Sequence, residues 1–315
     1  MEYILLIIGF IGLVKGADWF VEGASNIAKL LHVSGIVIGL TIVAFGTSAP
    51  EAAVSITAAF KGNNDIAVSN VIGSNIFNTL MVVGFSAAIA CLRVQKSLLR
   101  KEFPFSVVGT LALLFLCLDR GIQHIGTTVI SRGDGMVLVL FFIMFMYMTI
   151  TGALEDKMVE DDENTKKISK LKSILSAIIG IAGIIIGGQL VVDSASTIAR
   201  NFGVSDTLIG LTIVAIGTSL PELVTSIVAA KKGESDIALG NAIGSNMFNI
   251  FFILGISAAI SPVTVQMVSV IDIGILSVIS VVLYIFALKR KRIGRGMGSV
   301  MIASYLIYTV YIIMR

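Results

Sequence analysis

The chain has 315 residues, of which 56% are hydrophobic and 14% charged, against about 25% charged in a soluble domain. One bilayer crossing takes about 20 apolar residues, and ten such stretches use most of the length, which leaves no room for a soluble catalytic domain. The net charge of +3 excludes little by its size, but its distribution along the chain is informative.

The stretches run roughly 3–31, 35–60, 65–91, 104–119, 134–153, 174–200, 206–230, 236–261, 267–288 and 297–314. The first has Glu2 as its only early charge and no clear cleavage site, so it is expected to persist as a helix and not to be a signal peptide. Within it, Lys15 and Asp18 are three apart and are expected to pair. Asp18 and Glu22, with Asp193 in the sixth stretch, are candidates for a vestibule or gating role. The second stretch carries Gly46-Thr47-Ser48-Ala49-Pro50-Glu51, and the third carries Asn70, Gly73, Ser74, Asn75 and Asn78. Cys91 and Cys117 have no metal-ligand spacing and read as apolar filler. A mixed acidic and basic segment, 154–172, reads as a solvated linker. The seventh stretch carries Gly217-Thr218-Ser219-Leu220-Pro221-Glu222, and the eighth Asn241, Gly244, Ser245, Asn246 and Asn249. Asp272 is expected to reach the interface at the outer end of the ninth, and His32 and His124 to be solvated in loops.

With ten helices and the N-terminus outside, 17 of the 23 Lys and Arg fall in cytoplasmic loops and five outside, in accord with the positive-inside rule. Both termini are therefore expected outside the cell (inner) membrane.

A shift of 171 residues aligns the chain with itself. Residues 35–51 and 206–222 are identical at 12 of 17 positions, and residues 62–90 and 233–261 at 16 of 29. Apolar helices that resemble each other by chance do not keep Pro, Glu, Asn and Ser at fixed offsets. Each copy holds five helices, and an odd number makes the second copy enter the membrane from the opposite side. The expected fold is thus an all-α polytopic membrane protein of ten transmembrane helices in two inverted-topology repeats. Helices 2, 3, 7 and 8 are expected to be broken around a midplane ion site. The units are residues 1–153, a cytoplasmic linker 154–173, and residues 174–315.

The chemistry lies at the paired prolines. Pro50 has no N–H for the Gly46 carbonyl, and Pro221 none for that of Gly217, so each helix should kink and expose carbonyl oxygens. Thr47, Ser48 and Glu51 fall within about one turn of one another. Hydroxyls, carbonyls and a carboxylate make a hard-oxygen set suited to Na⁺ or Ca²⁺. An ionised carboxylate at bilayer depth costs at least about 2.5–3.5 kcal/mol. No Lys or Arg is expected at that depth in helices 2, 3, 7 or 8, so the compensating charge is expected to be a transported ion. Ser74 and Asn78 share a helix face, as do Ser245 and Asn249, and are assigned to the site. Asn70, Asn75, Asn241 and Asn246 read more readily as glue between helices.

At these motifs the chain resembles the cation/calcium exchanger superfamily, and in particular its prokaryotic-type sodium/calcium exchangers. The paired GTS-x-PE motifs, each followed by GS-N-x-F-N, carry the resemblance, which covers essentially the whole transmembrane length. It implies a ten-helix antiporter that exchanges Na⁺ for Ca²⁺ electrogenically, with both ions bound as substrates and no cofactor. It further implies that Glu51 and Glu222 bridge the ions and that Thr47, Ser48, Thr218 and Ser219 coordinate through side-chain or backbone oxygens. The carbonyls of Ala44 and Ala215, with Ser74, Asn78 and Ser245, would complete the sites, and helices 1 and 6 would slide across the rest. At the position of Asn249 many members carry an acid, whereas both copies here have Asn. Two carboxylates match one Ca²⁺ or two Na⁺ without excess charge. The other readings are an antiporter for H⁺ and Ca²⁺ or for Mg²⁺, an ion channel, and an intramembrane hydrolase, for which no His lies at depth. Neither a nucleic-acid partner nor an oligomer is required.

Overall fold

The computed structural model describes residues 1–62, 64–118, 128–155, 168–203, 213 and 215–314. Besides a short helix at Lys96–Arg100, the helices are α1 (Glu2–Leu31), α2 (Gly35–Thr47), α3 (Ala49–Phe60), α4 (Ala67–Ile89), α5 (Glu102–Leu116), α6 (Arg132–Glu155), α7 (Lys170–Asn201), α8 (Ala215–Thr218), α9 (Leu220–Lys231), α10 (Ser235–Ile260), α11 (Met267–Arg290) and α12 (Arg295–Met314). Among the described residues, seven helices are long and apolar enough to span a bilayer alone, and α2 with α3 makes an eighth span, bent by 52°. The fourth stretch is the 15-residue α5, and the seventh is α8 and α9. Residues 206–212 and 214 of that seventh stretch lie outside the described residues, as do 156–167 of the linker and His124.

The bend follows from its residues. Ser48 leaves the helical region (φ −84°, ψ 7°), and Pro50 opens α3, where a missing N–H costs nothing. Ser219 (φ −94°, ψ 5°) interrupts α8 and α9 in the same way ahead of Pro221.

Glycines set how the helices approach. Gly9, Gly16 and Gly23 of α1 meet Gly187, Gly180 and Ala177 of α7, so the two helices run antiparallel. A Cβ on Gly16 would stand 2.7 Å from the Gly180 carbonyl oxygen, closer than real Cβ atoms come. Gly39 and Gly240 bring α2 and α10 together, and Gly244 meets Leu40 and Ala44 further along, so this pair is parallel. Gly84 of α4 packs on α12 at Gly298, and its repeat counterpart Gly255 of α10 packs on α6 at Gly135. Two antiparallel strand pairs complete the frame: β1 (Leu92–Arg93) with β4 (Arg292–Ile293), and β2 (Thr128–Ile130) with β3 (Val263–Val265).

Several expectations are corrected. Helices 3 and 8 are not broken: α4 and α10 continue through π-helical segments at Asn78–Val82 and Phe248–Leu254. Neither contains a proline, so the backbone bonds shift register instead of parting. Asp18 pairs with Lys232 and not with Lys15; its carboxylate lies 2.8 Å from the Lys232 ammonium. Asp272 lies in the second turn of α11 and is buried within the protein, 6% exposed. His32 is exposed, as expected, and caps α1 with a left-handed backbone (φ 56°).

Candidate functional site

Glu51 and Glu222 are each the third residue of a helix that begins inside the protein, and both are fully buried. The positive end of a helix dipole favours a carboxylate there. Each carboxylate is held by a serine of the other copy. The Ser48 hydroxyl donates to Glu222 Oε1 at 2.7 Å, and the Ser219 hydroxyl to Glu51 Oε1 at 2.9 Å. Ser219 also lies 3.1 Å from Ser74 Oγ, and Ser245 Oγ lies 3.5 Å from Glu222 Oε1. The second oxygen of each carboxylate, Oε2, is buried without a hydrogen-bond partner. Among the described residues no lysine or arginine interacts with either acid. Two like charges so placed require a cation or protons.

The surrounding oxygens are mostly neutral. Asn78 is fully buried with both its side-chain polar atoms unpartnered, and Asn249 Oδ1 is unpartnered as well. The Thr47 hydroxyl donates to Asn241 Oδ1 at 2.9 Å. The Ala44 carbonyl still accepts the Ser48 N–H at 3.0 Å, so any cation there would share it. For Ala215 only the backbone, the first residue of α8, is described. Among the described residues no group of three or more His, Cys, Asp or Glu is gathered in one place.

The structure thus brings Glu51, Glu222, Thr47, Ser48, Ser219, Ser74 and Ser245 together. Thr218 is partly exposed and lines a cavity of about 970 Å³ between α7 and the two helix breaks. Asp193, Gln189 and Arg200 line the same cavity, as do Pro50 and Pro221. Thr47, the counterpart of Thr218, is fully buried. Glu22 is exposed on α1 and lines none of this cavity.

Sequence reasoning missed Ser55 and Ser226, each four residues beyond an acid and equivalent in the repeat. Asn70 donates to Ser55 Oγ (2.9 Å) and to the Glu51 carbonyl (3.5 Å); Asn241 donates to Ser226 Oγ (2.9 Å) and to the Glu222 carbonyl (3.3 Å). These matched clamps fix the half-helices that carry the acids. Their identity in both copies was the available signal.

The chain matches the sodium/calcium exchanger protein family over residues 1–151 and 172–314. It is 32% identical to the sodium/calcium exchanger MaX1 of Methanosarcina acetivorans, with 98% of each chain covered. It is 33% identical to the inner membrane protein YrbG of Escherichia coli K12, over 96% of this chain and 94% of that one. A structure of the sodium-calcium exchanger NCX_Mj soaked with Na⁺ and Sr²⁺ superposes with a TM-score of 0.86 at 35% identity, covering 98% of this chain and 97% of that one. With its apolar spans and these relatives, the chain is a multi-pass membrane protein, and it belongs to the sodium/calcium exchanger family.

Proposed function

We propose that the protein exchanges Na⁺ for Ca²⁺ across the cell membrane by alternating access. The observation that carries this reading is the pair of buried acids, one from each half, with unpartnered oxygens and, among the described residues, no lysine or arginine acting on them. Na⁺ and Ca²⁺ compete for the same oxygens, so the carrier crosses only when loaded. Ca²⁺ takes about 6–8 oxygen ligands. Glu51, Glu222, Ser74, Asn78, Ser245 and Asn249 supply them, with Thr47, Ser48, Thr218, Ser219 and the carbonyls of Ala44 and Ala215 completing the Na⁺ positions. The cavity beside α7 is the access route in this conformation. Asp193 stands in its wall as a cation-recruiting carboxylate, and Glu22, its repeat counterpart, serves the opposite face.

The architecture proposed is ten helices in two inverted repeats, residues 1–153 and 174–315, joined by the cytoplasmic linker 154–173. Support comes from α1 and α7, which are repeat equivalents and lie antiparallel, and from the exchanged partners of Gly84 and Gly255. Both termini lie outside, and one chain suffices. Liposomes loaded with Na⁺ and diluted into Na⁺-free medium should take up radioactive Ca²⁺. Uptake that ignores the Na⁺ gradient, or that survives Glu51→Gln unchanged, would overturn the reading.

A further inference from the structure

A chain of buried amides crosses between α4 and α10. Asn75 is fully buried, and its Nδ2 donates to the backbone carbonyl of Asn246 at 3.2 Å. A backbone carbonyl can only accept, so the orientation of the Asn75 amide is fixed by its partner. Its Oδ1 therefore faces Asn249 and needs a donor. Asn249 provides its Nδ2 at 3.0 Å, which leaves Asn249 Oδ1 buried with no partner.

The repeat supplies an internal comparison. Asn246 and Asn78 are the counterparts of Asn75 and Asn249 under the shift of 171 residues. The equivalent lock is absent there. Thr79, whose counterpart is Ile250, donates to the Asn75 carbonyl at 2.7 Å and accepts from Asn246 Nδ2 at 2.9 Å. That hydroxyl takes the two groups that would otherwise have bonded each other. Asn246 Oδ1 and both polar atoms of Asn78 are left unpartnered.

We propose that Asn75 is a positioning residue for ion binding: it locks Asn249 so that the carbonyl oxygen, and not the NH₂ group, is the atom available to a cation. Asn78, unlocked, turns its oxygen inward only when an ion is present. An NH₂ group facing a cation is repulsive, so an unlocked Asn249 presents the wrong end part of the time. The proposal rests on the ion-exchange reading above and specifies one of its ligands.

The test is a double-mutant cycle on the full-length protein in liposomes, with radioactive Ca²⁺ and Na⁺ as probes. Asn75→Ala is expected to raise the KM for Ca²⁺ several-fold while kcat changes less than twofold. In an Asn249→Ala background the same substitution should leave KM unchanged. Asn75→Ser, smaller in its disturbance, should follow the same pattern and serves if the alanine variant does not fold. Equilibrium Ca²⁺ binding to the purified variants should move in parallel with KM. An unchanged KM in Asn75→Ala, or an equal rise in both backgrounds, would overturn the assignment. A wild-type protein that binds and exchanges no Ca²⁺ would instead overturn the underlying function, so the two failures are distinguishable.

Discussion

At the scale of single residues, the energetic problem is two buried carboxylates with no basic partner among the described residues. Helix N-termini and serine hydroxyls offset part of that cost, and under the proposed exchange a bound cation would offset the rest. Glu51→Gln removes half the negative charge. Breaking a buried charge pair costs about 3–5 kcal/mol, so Na⁺-dependent Ca²⁺ uptake is expected to fall about a hundredfold or more. The same substitution relieves repulsion with Glu222 in the ion-free protein. Its melting temperature without Na⁺ or Ca²⁺ should therefore rise, and the stabilisation by added Ca²⁺ should shrink. For a wild-type protein at a hundred times its Kd, that stabilisation is about 2.7 kcal/mol. Thermal denaturation in detergent with and without Ca²⁺ checks both signs, and a variant that melts lower without ions would contradict the repulsion argument.

At the scale of helices, two features are separable by substitution. Pro50→Ala restores an N–H for the Gly46 carbonyl and should straighten the bend of 52°. Exchange should then fall while the protein keeps or gains thermal stability, and retained flux would show that the bend is dispensable. Gly16→Val places atoms where α7 backbone already stands, 2.7 Å away, whereas Gly12→Ala meets nothing closer than 3.5 Å. Overpacking costs about 1–3 kcal/mol, so the first should lower the melting temperature clearly and the second hardly at all. Much of this was legible beforehand. Prolines at matching positions announced the interruptions, and the repeat pointed to Glu51, Glu222 and the serines. The crossed pairing of Ser48 with Glu222 and Ser219 with Glu51 was not legible, because a repeat aligns equivalent residues and does not say which halves touch. The π segments left no mark in composition. The expected Lys15–Asp18 pair rested on local helical spacing, and docking of α1 beside the α9–α10 turn supplied a partner 214 residues away instead.

At the scale of the whole molecule, the two halves are alike in sequence but unlike in what holds them. On one side α1 is tied to the turn between α9 and α10. The Lys232 ammonium bonds both the carboxylate and the backbone carbonyl of Asp18 at 2.8 Å, and the Ser25 hydroxyl donates to Glu234 at 2.6 Å. Under the shift of 171 residues the counterparts are Lys61, Gln189, Ser196 and Asn63. Gln189 carries no charge for Lys61, and it donates within α7 to Asp193 at 2.9 Å; the Ser196 hydroxyl has no hydrogen-bond partner. Among the described residues the tie is thus seen in one half only, and the cavity opens beside the other half. Under the proposed topology this favours the state open to the outside. An exposed ion pair contributes about 0.2–1 kcal/mol and a hydrogen bond to a charged acceptor about 1.5–3 kcal/mol, so losing both should shift the balance tenfold or more. Asp18→Asn with Ser25→Ala should therefore slow external labelling of a cysteine at Thr218, in a chain freed of Cys91 and Cys117, and raise the KM for external Na⁺. The swap of Asp18→Lys with Lys232→Asp should recover the ion pair and much of the labelling rate. Labelling that is unaffected by the double variant would mean that the asymmetry of contacts does not set the resting state.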